Sequence, residues 1–310
     1  MLFNKNANGS EEIANLTGNY YQNNNFSKLT GHLMLATSEV IKIIGQSVYT
    51  LAEIAYNYSL ATPDNAALVP YVQLPIAIKA ALDVCRSNDI SHEDTGRKIK
   101  IDATSEKIPW EWQLKRDDEL QLDRYYAAID QLIAYLDTTT LTAWHNSDNK
   151  KLSKSLFINN ASRFDFYFPI NQSGRMYIML LPFIREAERK YIKPALGTDY
   201  DKYMAATNLT TSEKAIHELI YPPIPLIAMS IAIKRMPLGL IPAGVVKNFI
   251  SNSQTMEASD PAAISDIQYM SHLFFEEGMK LLDDMKRLKN GFTTPVLIPE
   301  NDVHNKYMRV

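Results

Sequence analysis

Residues 173–197 read SGRMYIMLLPFIREAERKYIKPALG, and the spacing of their apolar positions decides the fold class. Leu180, Ile184, Ala187 and Tyr191 recur at steps of four, three and four. That spacing gathers them on one face of an α-helix, whereas a strand would send them to opposite sides. Arg185, Glu186, Arg189 and Lys190 fall on the other faces. Ser173 suits the N-cap, where a side-chain oxygen accepts from an unpaired backbone N–H. Gly197 stands where a helix commonly ends on a residue of positive φ, which glycine adopts without a Cβ clash. Pro194 is expected to tighten the last turn. Pro182 is expected to kink the helix, or split it near Leu181, because proline lacks the N–H and crowds the preceding turn. No chemistry-bearing pattern lies here, so the stretch reads as a packing and assembly element.

The same pattern occurs about 150 residues earlier. Phe26–Gly45 places Leu29, Leu33, Ala36, Val40 and Ile44 on one face and also ends on glycine. A short helix comes after each (about 47–60 and 199–207). A proline-marked apolar helix comes next. The first starts at Thr62-Pro63-Asp64 and runs towards Arg86, with Pro70 and Pro75 expected to set its true start. The second runs from Thr211-Ser212-Glu213 to Arg235, interrupted by Pro222, Pro223 and Pro225. Then come a loop (Ser87–Gly96; Pro237–Gly244) and a short strand (Lys98–Asp102; Val245–Ile250). Each series closes on a long helix. One runs from Pro109 to Asp137, and the other from Asp260-Pro261 to near Asn290-Gly291. An offset of 151 aligns Leu33 with Ile184, Ala36 with Ala187 and Leu68 with Leu219. An offset of 149 aligns Tyr125-Tyr126 with Phe274-Phe275. The recurrence reads as a duplication; shared spacing between two unrelated helical domains is the other reading.

The predicted fold class is therefore mainly α: two tandem helical-bundle domains with short β-strands and extended arms. Residues 1–137 form the N-terminal domain, 138–172 an aromatic-rich connecting segment, 173–290 the C-terminal domain and 291–310 an extended arm. Ser10 is expected to cap a short first helix. The connecting segment carries Leu156-Phe157-Ile158 and Phe164 to Phe168, too apolar for a solvated linker, and is expected to pack across one of the domains. In the arm, Val296, Leu297 and Ile298 lie between two prolines and would be exposed unless docked, on a partner or on their own chain.

Composition sets bounds on function. The 310 residues are 46% hydrophobic and 22% charged, with net charge −3, as in soluble globular proteins. Residues 1–150 carry 13 Lys+Arg against 19 Asp+Glu, and residues 151–310 carry 19 against 16. This asymmetry is too small for a nucleic-acid groove but suits head-to-tail contact between unlike surfaces. The lone Cys85 permits no intrachain disulfide and is expected to be a buried, inert thiol. The opening MLFNKNANGSEEI has no basic segment leading into an apolar core, so no signal peptide is read there. Ile224–Ile233 is too short for a bilayer span and runs into Lys234 and Arg235. A soluble protein made in a reducing compartment, with no membrane partner, is the expectation.

No catalytic, cofactor-binding or metal-ligating residue is assigned. There is no Gly-Lys-Ser/Thr phosphate loop and no Cys/His zinc spacing. The histidines at 32, 92, 145, 217, 272 and 304 include no pair four apart. His92-Glu93-Asp94 reads as a solvated turn and Asp117-Asp118-Glu119 as a charged helical face. Trp110 and Trp112, flanking Glu111, either anchor an interface or pack in a core. Edge strands offer free backbone groups to a neighbour. The candidate subunit or partner contacts are therefore Ile99, Ile101, Trp110, Trp112, Val245, Phe249, Val296, Leu297 and Ile298.

Several strings together resemble a family of tailed-phage and prophage proteins from Bacteroidetes-type hosts. They are MLFNK with GSEEI near the N-terminus, Trp112-Gln113, KSLFINNASRFDFYF at 154–168 and REAERKYIKPALG at 185–197. The resemblance covers nearly the whole chain and is most specific at Lys154–Phe168 and Tyr191–Gly197. The repeated unit is similar to the helical head-tail connector (adaptor) proteins of long-tailed phages, in which a twelve-fold ring sits beneath the portal and extended segments clip onto neighbours. The resemblance implies a structural, non-enzymatic neck ring in the virion, assembled in the host cytoplasm. Its partners would be the portal protein, neighbouring neck or tail proteins and passing double-stranded DNA without sequence readout, and it would carry no cofactor. Another virion accessory or tail-completion ring, or a helical enzyme or binding protein, remain the other readings. The duplication departs from single-domain adaptors and leaves six or twelve chains per ring open.

Overall fold

A computed structural model describes residues 1–18, 21, 24–58, 62–93, 96–98, 109–236, 238–241, 244–247 and 264–291. The chain is mainly helical. Two compact units are distinguished: Met1–Leu152 with Ser173–Ile178, and Ser153–Gln172 with Met179 onward. Residues 138–172 are thus divided between the units rather than assigned to one.

The first unit contains α1 (Gly9–Thr17), α2 (Phe26–Ile44), α3 (Gln46–Asn57), α4 (Pro63–Asn88), a hairpin of β1 (Ser91–Glu93) and β2 (Gly96–Lys98), α5 (Glu111–Thr138), α6 (Thr142–His145) and most of α7 (Asp148–Lys154). The residues that α2 buries are Leu29, Leu33, Ala36, Val40 and Ile44, the face its spacing predicts. Gly45, at φ 88°, ends α2 and turns the chain directly into α3, a backbone state that would strain any residue with a Cβ. Ser10 is not the cap of α1; that position is Asn8. Ser10 instead accepts from Phe26 N through its Oγ at 3.2 Å and from Asn24 Nδ2 through its carbonyl, fixing the entry to α2.

Thr62 caps α4, with Pro63 in its first turn, where no N–H is required. Pro70 and Pro75 do not set its start: the helix runs through both. An interior proline costs about 3 kcal/mol. Leu68, Val72, Ile76, Ala77 and Ala80 are buried where α4 packs on α2, α3 and α5, and each large side chain returns roughly 1.5–3 kcal/mol. Packing therefore outweighs the proline cost. Cys85 near the end of α4 is half-buried, not fully buried. The core also takes in Leu2, Phe3 and Trp144, and Trp144 Nε1 donates to Asp137 Oδ1 at 2.7 Å.

Ser173 does cap the next long helix, α9 (Gly174–Ala187): its Oγ accepts from Met176 N at 3.1 Å. Asp130 on α5 accepts from Ser173 Oγ at 3.0 Å and from Arg175 N at 2.8 Å, so the start of α9 is tied into the first unit.

The second unit contains α8 (Ala161–Tyr167), α9 from Met179 on, a π-turn (Glu188–Ile192), α10 (Lys193–Leu196), α11 (Tyr200–Ala205), α12 (Thr211–Ile220), α13 (Pro223–Arg235), a hairpin of β3 (Leu238–Ile241) and β4 (Gly244–Lys247), and α14 (Ile264–Lys289). Pro182 does not split α9. The irregularity comes six residues later, in the π-turn. One extra residue in that turn shifts the buried face, so Ile192 is enclosed and Tyr191 only half-buried. Gly197, at φ 61°, ends α10. The second core is centred on α13 against α14. Their approach is close enough that a Cβ on Gly278 would lie 2.7 Å from Ile227 Cγ1.

Two loop expectations need correction. Within the expected loop Ser87–Gly96, Ser91–Glu93 form a strand paired antiparallel with Gly96–Lys98, so His92 and Glu93 lie in a strand rather than a loop. Within the expected loop Pro237–Gly244, Leu238–Ile241 form a strand paired with Gly244–Lys247. Of the strands predicted at Lys98–Asp102 and Val245–Ile250, the described residues, Lys98 and 245–247, are in strands. Residues 99–102, 248–250 and the helix start at Asp260-Pro261 lie outside the described residues. Asp64–Asn88 and Thr211–Arg235 have the length and hydropathy of a membrane span. In both, the same hydropathy serves a protein core, since each contributes many of the buried side chains of its bundle.

Candidate interaction surfaces

The first half of α5 stands apart from its core. Burial on α5 begins at Gln121 and continues through Tyr125, Ala128, Ile129, Leu132, Ile133 and Leu136. Before that point, Trp110 is 69% exposed, Trp112 45% and Leu120 56%. The helix start is held by Gln113, whose Oε1 accepts from Trp110 N at 3.0 Å; an indole has no oxygen with which to cap. The sequence left Trp110 and Trp112 either in a core or at a surface, and the structure puts both at the surface. The enclosed tryptophan is Trp144.

The same stretch is acidic. Glu111, Asp117, Asp118, Glu119 and Asp123 outnumber Lys115, Arg116 and Arg124. Asp118 accepts from Arg86 Nε at 2.8 Å, and Glu119 lies 4.0 Å from Lys115. Glu111, Asp117 and Asp123 are exposed and have no ion pair among the described residues. The local excess of negative charge is felt nearby: burial, and then the charge on Asp118, hold the Asp89 carboxyl above its usual range.

The outer side of α9 and α10 has the opposite character. Arg185, Arg189, Lys190 and Lys193 are exposed and make no ion pair among the described residues, though the charge of Lys190 is felt by Glu186. The one acid among them, Glu186, is held by Arg235, with Arg235 Nη2 to Oε1 at 3.0 Å and Nη1 to Oε2 at 2.5 Å. That pairing keeps the Glu186 carboxyl below its usual range. Lys190 and Lys193 lie 5.4 and 5.2 Å from the ring centres of Tyr191 and Tyr200. Pro182, Arg185, Glu186, Arg189 and Lys190 line a shallow depression, and Met179 and Met236 are exposed apolar side chains of the same unit.

On the inner side of the π-turn lies the most perturbed acid of the second unit. Glu188 is wholly enclosed. Its Oε1 accepts from Phe157 N at 2.9 Å and Ile158 N at 3.4 Å, and Tyr200 OH donates to Oε2 at 3.5 Å. Burial pushes the carboxyl up to about 8, against the downward pull of those hydrogen bonds. Around it Phe157 meets Tyr200 and Tyr221 edge to face, and the Arg163 guanidinium sits 4.9 Å from the Tyr221 ring centre. An acid poised near neutrality is what proton-transfer chemistry uses. Here, however, both oxygens are engaged and no surface is open to a substrate. Glu188 acts as a bracket that fixes Leu156–Ile158 to the π-turn. Among the described residues, no three His, Cys, Asp or Glu converge as metal ligands.

Of the other residues singled out from the sequence, Val245 lies in β4 opposite Leu240. Ile99, Ile101, Phe249, Val296, Leu297 and Ile298 lie outside the described residues. Sequence reasoning missed Leu120 and Glu188. A signal for Glu188 was present: Leu180, Ile184, Glu188 and Ile192 recur every four residues, which places the acid on the apolar side.

One family model, DUF6712, described as a family of unknown function, matches residues 40–154 and 192–290. No curated protein and no solved structure matches the chain.

Proposed function

We propose that this chain, which belongs to the DUF6712 family, is a structural virion protein: a head-to-tail connector, or adaptor. It assembles as a ring in the virion neck, joins the portal protein to the tail and lines the path of the DNA. Twelve-fold assembly is favoured, formation takes place in the host cytoplasm, and the role is architectural rather than catalytic.

The observation that carries this reading is the recurrence of one helical unit. In the first half a helix closed by glycine leads to a short helix, one proline-marked apolar helix, a two-stranded hairpin and a long helix; the second half keeps this order, with the proline-marked stretch made of two helices, α12 and α13. The family match falls in two stretches, which start at residues 40 and 192, each five positions before a closing glycine, Gly45 or Gly197. On this reading the chain is two tandem adaptor-like bundles with short strands and extended arms. The strings at 154–168 and 185–197 resemble those of tailed-phage proteins. An acidic aromatic surface and a basic surface on one chain suit a subunit that meets its neighbours through unlike faces.

Imaging of the purified chain in negative stain, alone and mixed with the portal protein, tests the proposal. Closed rings that co-migrate with portal are expected. A chain that stays monomeric and does not bind portal overturns it.

A further inference from the structure

We infer that the acidic, tryptophan-bearing first half of α5 docks on the basic face of α9 and α10 of a second copy of this chain. The inference rests on the ring reading and identifies the two surfaces that build it.

Each surface supplies what the other lacks. On α5, exposed Glu111, Asp117 and Asp123 have no ion pair among the described residues. On α9 and α10, Arg185, Arg189, Lys190 and Lys193 make no ion pair among the described residues, and Glu186 is occupied by Arg235. Both surfaces also carry exposed apolar side chains, Trp112 and Leu120 on one and Met179 and Pro182 on the other. A buried aromatic anchor ringed by paired charges is the usual make-up of a strong contact.

The pairing must also be heterologous. Either surface laid against its own copy would oppose like charges, which disfavours an isologous dimer. One copy of each surface per chain gives a contact that repeats from chain to chain until rotation closes it. A DNA backbone would also neutralise the basic face, but it would leave the acidic face and its tryptophan uncovered. A second copy accounts for both.

A reciprocal charge exchange tests this on the full chain. Variant A carries R185E, R189E and K190E; variant B carries E111K, D117K and D123K. Molar mass is measured by light scattering across a concentration series, with circular dichroism confirming the helical fold. The wild type is expected to assemble. A and B alone should each weaken self-association on the order of a hundredfold, because like charges then face one another. An equimolar mixture of A and B should regain the wild-type mass, with the two alternating. Trp112→Ala, which removes the anchor and no charge, should weaken assembly about tenfold or more.

Wild-type assembly that ignores both exchanges overturns the inference and leaves the ring reading standing. So does a mixture that stays apart. If variant A keeps its mass but loses affinity for a duplex oligonucleotide, the basic face serves DNA and the inference fails. A wild-type chain that is monomeric at every concentration removes the ring reading as well.

Discussion

Replacing Glu188 by Gln should make the protein more stable, and increasingly so as pH rises. In the fold the carboxyl keeps its proton to about 8, against an ordinary value of 4.5. A group whose value is raised by folding contributes fully below its unfolded value, and that contribution disappears as pH climbs to the folded value. The window is therefore about pH 4.5 to 8. At about 1.4 kcal/mol per unit, the wild-type chain gives up about 1 kcal/mol by pH 5 and about 3 kcal/mol by pH 7. Glutamine has no charge to bury. Its Oε1 can accept from Phe157 N and Ile158 N as the carboxylate does, and its amide can donate to Tyr200 Oη. Urea unfolding of both proteins at pH 5, 7 and 8.5 measures the effect. Subtracting one from the other cancels every other titrating group, including His217, whose value burial holds down. The expected difference is small at pH 5 and grows by about 2 kcal/mol by pH 7. A difference that stays flat with pH, or a variant that loses stability as pH rises, would refute the account of Glu188 as a desolvated bracket.

The remaining predictions concern packing. Gly278→Ala should cost about 1–3 kcal/mol in thermal or urea unfolding, because the new methyl meets Ile227 Cγ1 at 2.7 Å and the Pro223 carbonyl at 3.3 Å. The tryptophans should divide by role. Trp144→Ala should cost about 3–5 kcal/mol and leave Asp137 without its indole donor. Trp110→Ala and Trp112→Ala should change the stability of an isolated chain by no more than about 0.5 kcal/mol, with any larger effect confined to assembly, as gel filtration would show. Gly45→Ala should destabilise the first unit by about 1 kcal/mol through its positive φ.

Where the sequence was legible, a repeat of apolar side chains coincided with a face that is buried. The five residues of α2 are the clearest case, and the proline-capped start of α4 follows from Thr62 and Pro63 alone. Legibility failed where long-range packing overrode a local rule. Pro70, Pro75 and Pro182 each forbid a helix locally, yet α4 and α9 continue because neighbouring elements bury their apolar faces. Leu2 and Phe3 are too short a run to carry any period, so their burial could not be read. The π-turn broke the step of four, three and four at the point where Tyr191 was expected inside. Of the candidate surface, the tryptophans were visible as residues but not their exposure, which depends on where the core of α5 begins. Leu120 lies among charges and gave no signal. The basic face was legible as a set of polar positions on α9. Its lack of counter-charges was not, because the Glu186 to Arg235 pair joins positions 49 residues apart.

The π-turn has a consequence for how this chain can change length. Its extra residue is absorbed inside a continuous helix, so everything from Lys193 on stands in the phase that a helix one residue shorter would give. Deleting Lys190 would therefore return the segment to regular α geometry without rotating α10 or disturbing the Gly197 turn. The loss would be the widened turn at Glu188–Ile192, where Glu188 meets Phe157 and Ile158. Most helices accept insertions and deletions only at their ends. This one has a joint in its interior where a residue can be dropped while α10 and the turn beyond it keep their phase, the damage falling on the bracket alone.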